Sequence, residues 1–411
     1  MEEWKVCKIE ETSIRMIDGD RGKNYPKSNE FFSNGYCLFL NANNVTSDGF
    51  VFKENSFINK EKDSVLKNGR LQRNDVVITT RGTVGNIALY DMSVPFDTIR
   101  INSGMLILKS GKDILPEYLF YYLKSQAFQT QLSQFVTGSA QPQLPKSTLA
   151  KMNIFFPTNI NTQKLIVDIL RSFDIKIKNN LQINNNLETQ AQALFKSWFV
   201  DFEPFKGSEF VESEMGLIPK GWRVELLGNI TTLKNDKVKK RNDVKVLSPV
   251  TTGELIPSEE YFSKQVFSES IAKYIIVKPF DFAYNPARVN IGSLGMNTYD
   301  FDGCVSPVYV VFRCEEDYHY FFDLFRRTNM FNEEVRTRAI GGVRQTLGYK
   351  DFSLIKFVLP PKSIVKDFNM TYTKMLTVMD NNKRENFCLA QLRDTLLPRL
   401  MSGELKVNEI E

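Results

Sequence analysis

The chain has 411 residues, 42% of them hydrophobic and 25% charged, and a formal net charge of +5. A single hydrophobic core stops growing near ~250–300 residues, so more than one domain is expected in a chain of this ordinary globular composition. No apolar run approaches the ~20 residues that span a bilayer, and Met1-Glu2-Glu3-Trp4 lacks the basic and apolar regions of a signal peptide, so a cytoplasmic protein without membrane contact is expected.

Five cysteines (Cys7, Cys37, Cys304, Cys314 and Cys388) form no close pair, and their odd number argues against a disulfide framework. With one histidine and no Cys-x-x-Cys, no metal site is expected. His319 lies among Tyr318, Tyr320, Phe321 and Phe322 and reads as a half-buried position on an aromatic helix. The weak positive charge permits a polyanionic partner without requiring one.

Residues 1–158 read as a mixed domain rich in short strands. Trp4-Lys5-Val6 opens it, and residues 18–26, dense in Gly and Asp, mark turns. Residues 35–40 and 49–52 read as strands. Asp75-Val76-Val77-Ile78-Thr79 is a strand, Thr80-Arg81-Gly82-Thr83-Val84-Gly85-Asn86 a Gly-rich turn, and Ile87-Ala88-Leu89 the returning strand. Residues 103–108 form another strand. Pro116, suited to a first helical turn, starts a helix expected to run to about Val136. Residues 137–143 form a loop, and a closing strand over 152–156 ends at Pro157.

A long amphipathic helix follows, over residues 159–203. Its apolar residues recur in two registers of seven: Ile166, Phe173, Asn180, Leu187, Leu194 and Leu170, Ile177, Asn184, Ala191, Trp198. The pattern returns 202 residues on, from Ile166 to Phe368, as Phe368, Met375, Asn382, Leu389, Leu396 and Tyr372, Met379, Asn386, Arg393, Leu400. A sustained heptad repeat predicts a coiled-coil seam. Asn180, Asn184, Asn382 and Asn386 at seam positions lower stability but fix register.

After a linker at 204–214, a second domain over 215–361 repeats the plan of the first, and a distal helix (362–403) and a short tail (404–411) complete the chain. Trp222 answers Trp4. Residues 281–292 answer 75–85, each segment ending in Arg-x-x-x-Gly, and the aromatic helix at 318–335 answers 118–135. Two units of this size are a tandem duplication rather than a solenoid array.

No phosphate-binding Gly-x-x-x-x-Gly-Lys-[Ser/Thr] loop and no Gly-x-Gly-x-x-Gly are present. Asn285-Pro286-Ala287-Arg288 lacks the second proline and the aromatic residue of the adenine-methyltransferase motif. No catalytic centre is expected, and no cofactor in this chain. The polar turns carry the functional signal instead. Arg81 and Arg288 sit at Gly-flanked turns, where backbone can approach a ligand closely, and Arg matches phosphate or guanine bidentately. Around them lie Arg15, Arg21, Lys23, Asn24, Thr80, Gly82 and Arg100 in the first domain. In the second they are Asn285, Asn290 and the basic run containing Lys239, Lys240 and Arg241, read as a mobile loop. The Gly-rich loops add Gln141 and Gln143, or Arg344 and Gln345, and Gln suits adenine N6 and N7. Each alone is an ordinary surface residue; their recurrence in two diverged domains makes them DNA-contact candidates.

The segment Leu194-Phe195-Lys196-Ser197-Trp198-Phe199-Val200-Asp201-Phe202-Glu203-Pro204-Phe205, followed by Met215-Gly216-Leu217-Ile218-Pro219-Lys220-Gly221-Trp222, resembles the central region of type I restriction–modification specificity (S) subunits. Leu392-Arg393-Asp394-Thr395-Leu396-Leu397-Pro398-Arg399-Leu400-Met401-Ser402-Gly403-Glu404-Leu405 is similar to their distal helix end. Trp4 lacks the Gly-x-Ile-Pro-x-Gly lead that precedes Trp222. The resemblance implies an α+β fold: two tandem mixed α/β target recognition domains separated by two long antiparallel coiled-coil helices in an internal pseudo-two-fold repeat. It also implies that each domain reads half of a bipartite double-stranded DNA target. The implied partners are two adenine methyltransferase (M) subunits and, through them, nuclease/translocase (R) subunits. A helix of ~35 residues is ~52 Å long, against ~34 Å for a turn of B-DNA, so the coil reads as a ruler. The competing readings are a self-contained DNA methyltransferase or nuclease with an unrecognised site, and a non-specific coiled-coil scaffold.

Overall fold

The computed structural model describes residues 3–135, 142–262, 267–339 and 346–406. By contacts the chain divides into two compact units, Met1–Leu181 with Lys383–Glu411, and Gln182–Asn382. The division runs through both long helices at their Asn-rich middles, so each unit is a sheet-rich body together with its own portions of the two helices. No helix among the described residues is long and apolar enough to cross a membrane.

In the first unit the strands Arg15–Asp18, Met105–Lys109, Val76–Thr79 and Ile87–Leu89 form an antiparallel sheet in that order. Val76, Ile78, Leu106 and Leu108 face one way, onto Tyr118, Leu119, Tyr122 and Phe128. Val77, Ala88, Met105 and Ile107 face the other way, onto Leu38, Val45, Tyr90 and Ile99. Alternate strand residues point to opposite faces, so a sheet covered on both sides has continuous apolar strands, as in Val76-Val77-Ile78 and Met105-Leu106-Ile107-Leu108. A second sheet orders Phe57–Ile58, Cys37–Phe39 and Ile99–Arg100, the last pair parallel. Trp4–Lys8 pairs with Asn153–Pro157 to bring both ends of the body together.

The second unit repeats this scheme. Its sheet orders Thr231–Lys234, Val310–Cys314, Asp281–Tyr284 and Leu294–Met296. Ile17–Ile107–Val77–Ala88 is one rung of the first ladder, and Lys234–Val311–Ala283–Gly295 is the matching rung of the second. The parallel pair recurs between Lys245–Pro249 and Gly303–Val305, and Arg223–Leu226 pairs with Lys356–Leu359. Even a local strain is copied. Asn74 and Phe280 both have positive φ, 74° and 67°, one residue before the buried Asp75 and Asp281.

The single helix expected from Pro116 to about Val136 is two helices, Pro116–Lys124 and Gln126–Phe135. Ser125 separates them. Its backbone is extended, and its hydroxyl donates to the Tyr122 carbonyl at 2.6 Å and accepts from the Phe128 N–H at 3.4 Å. Thr328 does the same between His319–Phe325 and Asn329–Arg338, donating to Phe325 and accepting from Phe331. Short hydroxyl side chains compete with the helical ladder in this way and start new helices.

The two long helices are Ile160–Phe199 and Lys362–Met401, 40 residues each. In the first unit Asp174 meets Arg393 at 2.7 Å, and Asn180 donates to Asn386 Oδ1 at 2.9 Å and to Glu385 at 2.7 Å. In the second, Asn184 donates to the Met379 carbonyl at 3.1 Å and accepts from Asn382 at 2.8 Å, while Phe195 packs on Phe368. Partner numbers fall as the first helix advances, so the pairing is antiparallel in each unit. Cys7, Cys37, Cys304 and Cys314 are buried, Cys388 is exposed, and all five are free thiols.

Candidate nucleic-acid interface

In the first unit the loop 80–86 is tied down at its base. Gly85 donates to the Thr79 carbonyl at 2.9 Å, Asn86 donates to Thr79 Oγ1 at 3.0 Å, and the Asn86 amide reaches the Val45 carbonyl at 2.9 Å. A second segment is stitched to it: Leu144 donates to the Thr80 carbonyl at 3.0 Å, and Arg81 and Gln143 form a β-bridge. Gly85 has φ +97°, and a Cβ there would stand 2.4 Å from Leu132 Cδ2, so the turn requires glycine. Gly82, at φ +74°, has nothing within 4 Å of that direction and presents open backbone.

These segments border a cleft of about 640 Å³ that collects Arg21, Thr80, Arg81 and Gln143, with Asp18 and Lys146. Arg21 lies 3.4 Å from Asp18 Oδ1 and from the Ser103 carbonyl, and Lys146 lies 3.8 Å from Asp18 Oδ2. The wall therefore offers two guanidinium groups, an ammonium, an amide and one carboxylate.

The other first-unit candidates lie elsewhere. Arg15 is exposed, one strand position out of phase with the cleft-lining Met16. Lys23 is exposed, and Asn24 donates at 3.4 Å to the carbonyl of Val65, at the end of the helix Lys60–Val65. Arg100 is a correction to the sequence reading. It is 4% exposed, its Nε meets Asp63 Oδ1 at 2.5 Å, and its other nitrogens are taken up by the carbonyls of Asn68, Asp63 and Leu66. A guanidinium enclosed this way, with four of its five N–H donors bonded inside the body, holds the 60–68 segment on the body and is buried rather than presented to DNA. Gln141, Arg344 and Gln345 lie outside the described residues.

In the second unit the corresponding loop, 285–293, is stitched in the same place: Leu347 donates to the Pro286 carbonyl at 3.0 Å, as Leu144 does to Thr80. Asn285 uses its Oδ1 to accept from the Ala287 N–H at 3.0 Å, Arg288 is exposed and Asn290 half-buried. Residues 286–292 are one more than residues 80–85. Arg81 and Arg288 therefore match when counted back from Gly85 and Gly292, whose φ values are 97° and 93°. Counted forward from the strand, Arg81 matches Ala287. The basic run, expected as a mobile loop, is pinned: Val238 donates to the Tyr274 carbonyl and Lys239 to that of Ala272, both at 2.9 Å. Lys239 and Lys240 remain exposed. Arg241 is held by Asp243 at 2.6 Å and Asp302 at 2.7 Å, and hydrogen bonds to these carboxylates raise its pKa further.

Comparison with known proteins places this arrangement. Residues 1–189 match the model of the type I restriction modification DNA specificity domain. The MjaIX specificity subunit of Methanocaldococcus jannaschii is 26% identical over 346 residues, 82% of this chain and 78% of that one. The HindI specificity subunit of Haemophilus influenzae is 22% identical over 477 aligned positions, 98% of this chain and 100% of that one. Over most of its length the chain is similar to type I restriction–modification specificity subunits. Its fold is also that of the solved S subunit from M. genitalium, with a TM-score of 0.59 over 97% of this chain and 96% of that one at 14% identity.

Two cleft residues are not legible as contacts in the sequence. Asp18 is acidic and reads in the sequence as a turn residue. Lys146 follows Gln143 by three positions in a segment that reads as the lead into a strand, but it starts the short helix Lys146–Ala150 beside the cleft.

Proposed function

We propose that the chain is the DNA-reading, non-catalytic subunit of a type I restriction–modification complex. Each sheet-rich body reads one half of a bipartite duplex target, and the paired helices set the spacing. The single observation that carries this reading is the repeated stitching of two polar loops at one place on one ladder, Leu144 to Thr80 and Leu347 to Pro286. One chain then holds two related but differently equipped readers, as a target in two unlike halves demands. Arg81, Arg21, Lys146 and Gln143 supply phosphate and base-edge donors in the first unit; Arg288, Asn290, Lys239 and Lys240 have the corresponding part in the second.

Two adenine methyltransferase subunits would dock on the outer faces of the helices and bring the nuclease/translocase subunits with them. The chain needs no cofactor of its own in this role. Methylation-aware sequencing of a genome with and without the chain tests the proposal. A bipartite adenine-methylated motif that disappears on deletion is expected. Methyl transfer sustained by the purified chain alone would refute it, and binding indifferent to sequence at every salt concentration would favour a scaffold instead.

A further inference from the structure

The first-unit cleft has one acidic group among its donors. Asp18 ends the strand Arg15–Asp18, and its partners Arg21 and Lys146 stand at 3.4 Å and 3.8 Å with side chains about half exposed, at 55% and 45%. Ion pairs this long and this wet add little stability, and they leave carboxylate lone pairs facing the cleft. Where phosphate must approach, a carboxylate is a repulsive charge. It has one use in a DNA groove that no cation serves, which is to accept a hydrogen bond from an exocyclic amino group, above all cytosine N4. Arg21 and Lys146 on either side offset its charge against the backbone.

The duplicated ladder gives the position a counterpart. Ile17 and Lys234 occupy the same rung, opposite Ile107 and Val311, so Asp18 corresponds to Asn235, which is exposed. Asn both accepts and donates, the pattern that fits adenine N7 and N6. A hydrogen-bonding side chain thus follows the matching rung in both units, the last strand residue in the first and the residue just past the strand end in the second, with different chemistry in each.

We propose that Asp18 is a specificity-determining residue that accepts from a base amino group, cytosine N4 by preference, in the half-site read by the first unit. Asn235 holds the same reading position for the other half-site. This rests on the DNA-reading function above. The test uses the full chain co-expressed with the methyltransferase subunits of its system, as wild type, Asp18→Asn and Asp18→Ala, with the methylated motif of each read by genome sequencing.

In Asp18→Ala one cytosine-containing base pair of one half-site is expected to lose about ten-fold in discrimination. Asp18→Asn is expected to move the preference at that pair towards adenine, with the other half-site and the gap unchanged. An unchanged motif, or equal loss at every position, would overturn the assignment and leave Asp18 as a counter-charge for Arg21 and Lys146. A second arm is independent of how the variants fold: a target duplex whose cytosine lacks the N4 amino group should bind the wild-type complex about ten-fold less tightly. Equal binding of the two duplexes would sink the proposal. If the wild type itself gives no bipartite motif, the DNA-reading function fails before any variant is compared, so the two failures are distinct.

Discussion

The spacer reading makes a quantitative prediction about length. In the antiparallel pairing, residues 177–183 of the first long helix lie opposite 383–389 of the second, as Asn180 opposite Asn386 indicates. Deleting both segments together removes one matched heptad and one asparagine pair, and keeps the seam in phase because seven residues are a whole repeat. The Asn184–Asn382 pair remains, as does the Asp174–Arg393 pair. The anchoring clusters at the bodies also stay intact: Ile166, Val167, Leu170, Leu397 and Leu400 in one unit, and Phe195, Phe199, Phe368 and Tyr372 in the other. At ~1.5 Å per residue the rod loses ~10.5 Å. One turn of B-DNA spans ~34 Å and ~10 base pairs, so the gap between half-sites should shorten by about three base pairs. The assay is methylation-aware sequencing of cells carrying the deleted chain and its methyltransferase. Both half-site sequences should persist around a shorter gap. An unchanged gap with both half-sites retained would refute the idea that the helices measure DNA.

Two further outcomes concern the bodies themselves. Arg100→Met leaves the Asp63 carboxylate buried without its main partner and should cost about 3–5 kcal/mol of stability, read by thermal or denaturant unfolding, with no change in the base preference of folded protein. Full stability with altered preference would return Arg100 to the interface. Burial pushes the Asp323 carboxyl up, but Arg326 and Arg327 outweigh it and hold the group below its ordinary value of 3.8. Its contribution is therefore complete above pH 3.8 and is lost as pH falls below that value. Denaturant unfolding at acidic pH should show this loss in the wild type and a smaller one in Asp323→Asn, which is less stable at neutral pH.

Some of this molecule was open to reading from the chain because its signals are local and periodic. The heptads, the two Arg-x-x-x-Gly turns and the closing strands each sit within a few residues and occur twice, so one copy checks the other. What escaped depends on distant partners. Arg100 has the same local context as a DNA-contacting arginine; only Asp63, 37 positions earlier, makes it structural. Arg241 looks like part of a free basic run until Asp302 is seen beside it. Asp18 is hidden for another reason: polyanion binding is signalled by donors, and a base-reading acceptor carries the opposite charge. The break at Ser125 was legible in principle, since Thr328 marks the same place in the second copy, but helix periodicity continues across both and conceals it.

The seam asparagines acquire a reason once the helices are taken as a spacer. Register in a purely apolar heptad seam is weakly specified, because a slip of one repeat puts one apolar residue where another was. Here a slip of one heptad in one direction would place Asn180 against Met379 and Asn184 against Met375, and Asn382 against Leu or Ile positions of the same seam such as Ile177. Asn386 would face Phe173 in that slip; in the other direction Asn184 would face Leu389, Asn382 Ala191 and Asn386 Leu187, and only Asn180, against Arg393, would meet a polar group. Asn180 and Asn184 are the buried members, and each buried amide left without a partner costs about 1–3 kcal/mol, so a slip is disfavoured by about that much for each of the two that it strands. A one-heptad slip would change the rod by ~10.5 Å, which on DNA is about three base pairs. The asparagines lie mid-helix, where the aromatic clusters at the bodies exert the least control over register. A protein that needed only two joined bodies would gain stability from leucine at these positions; one that must hold a fixed gap gains more from a seam that fits in one register alone.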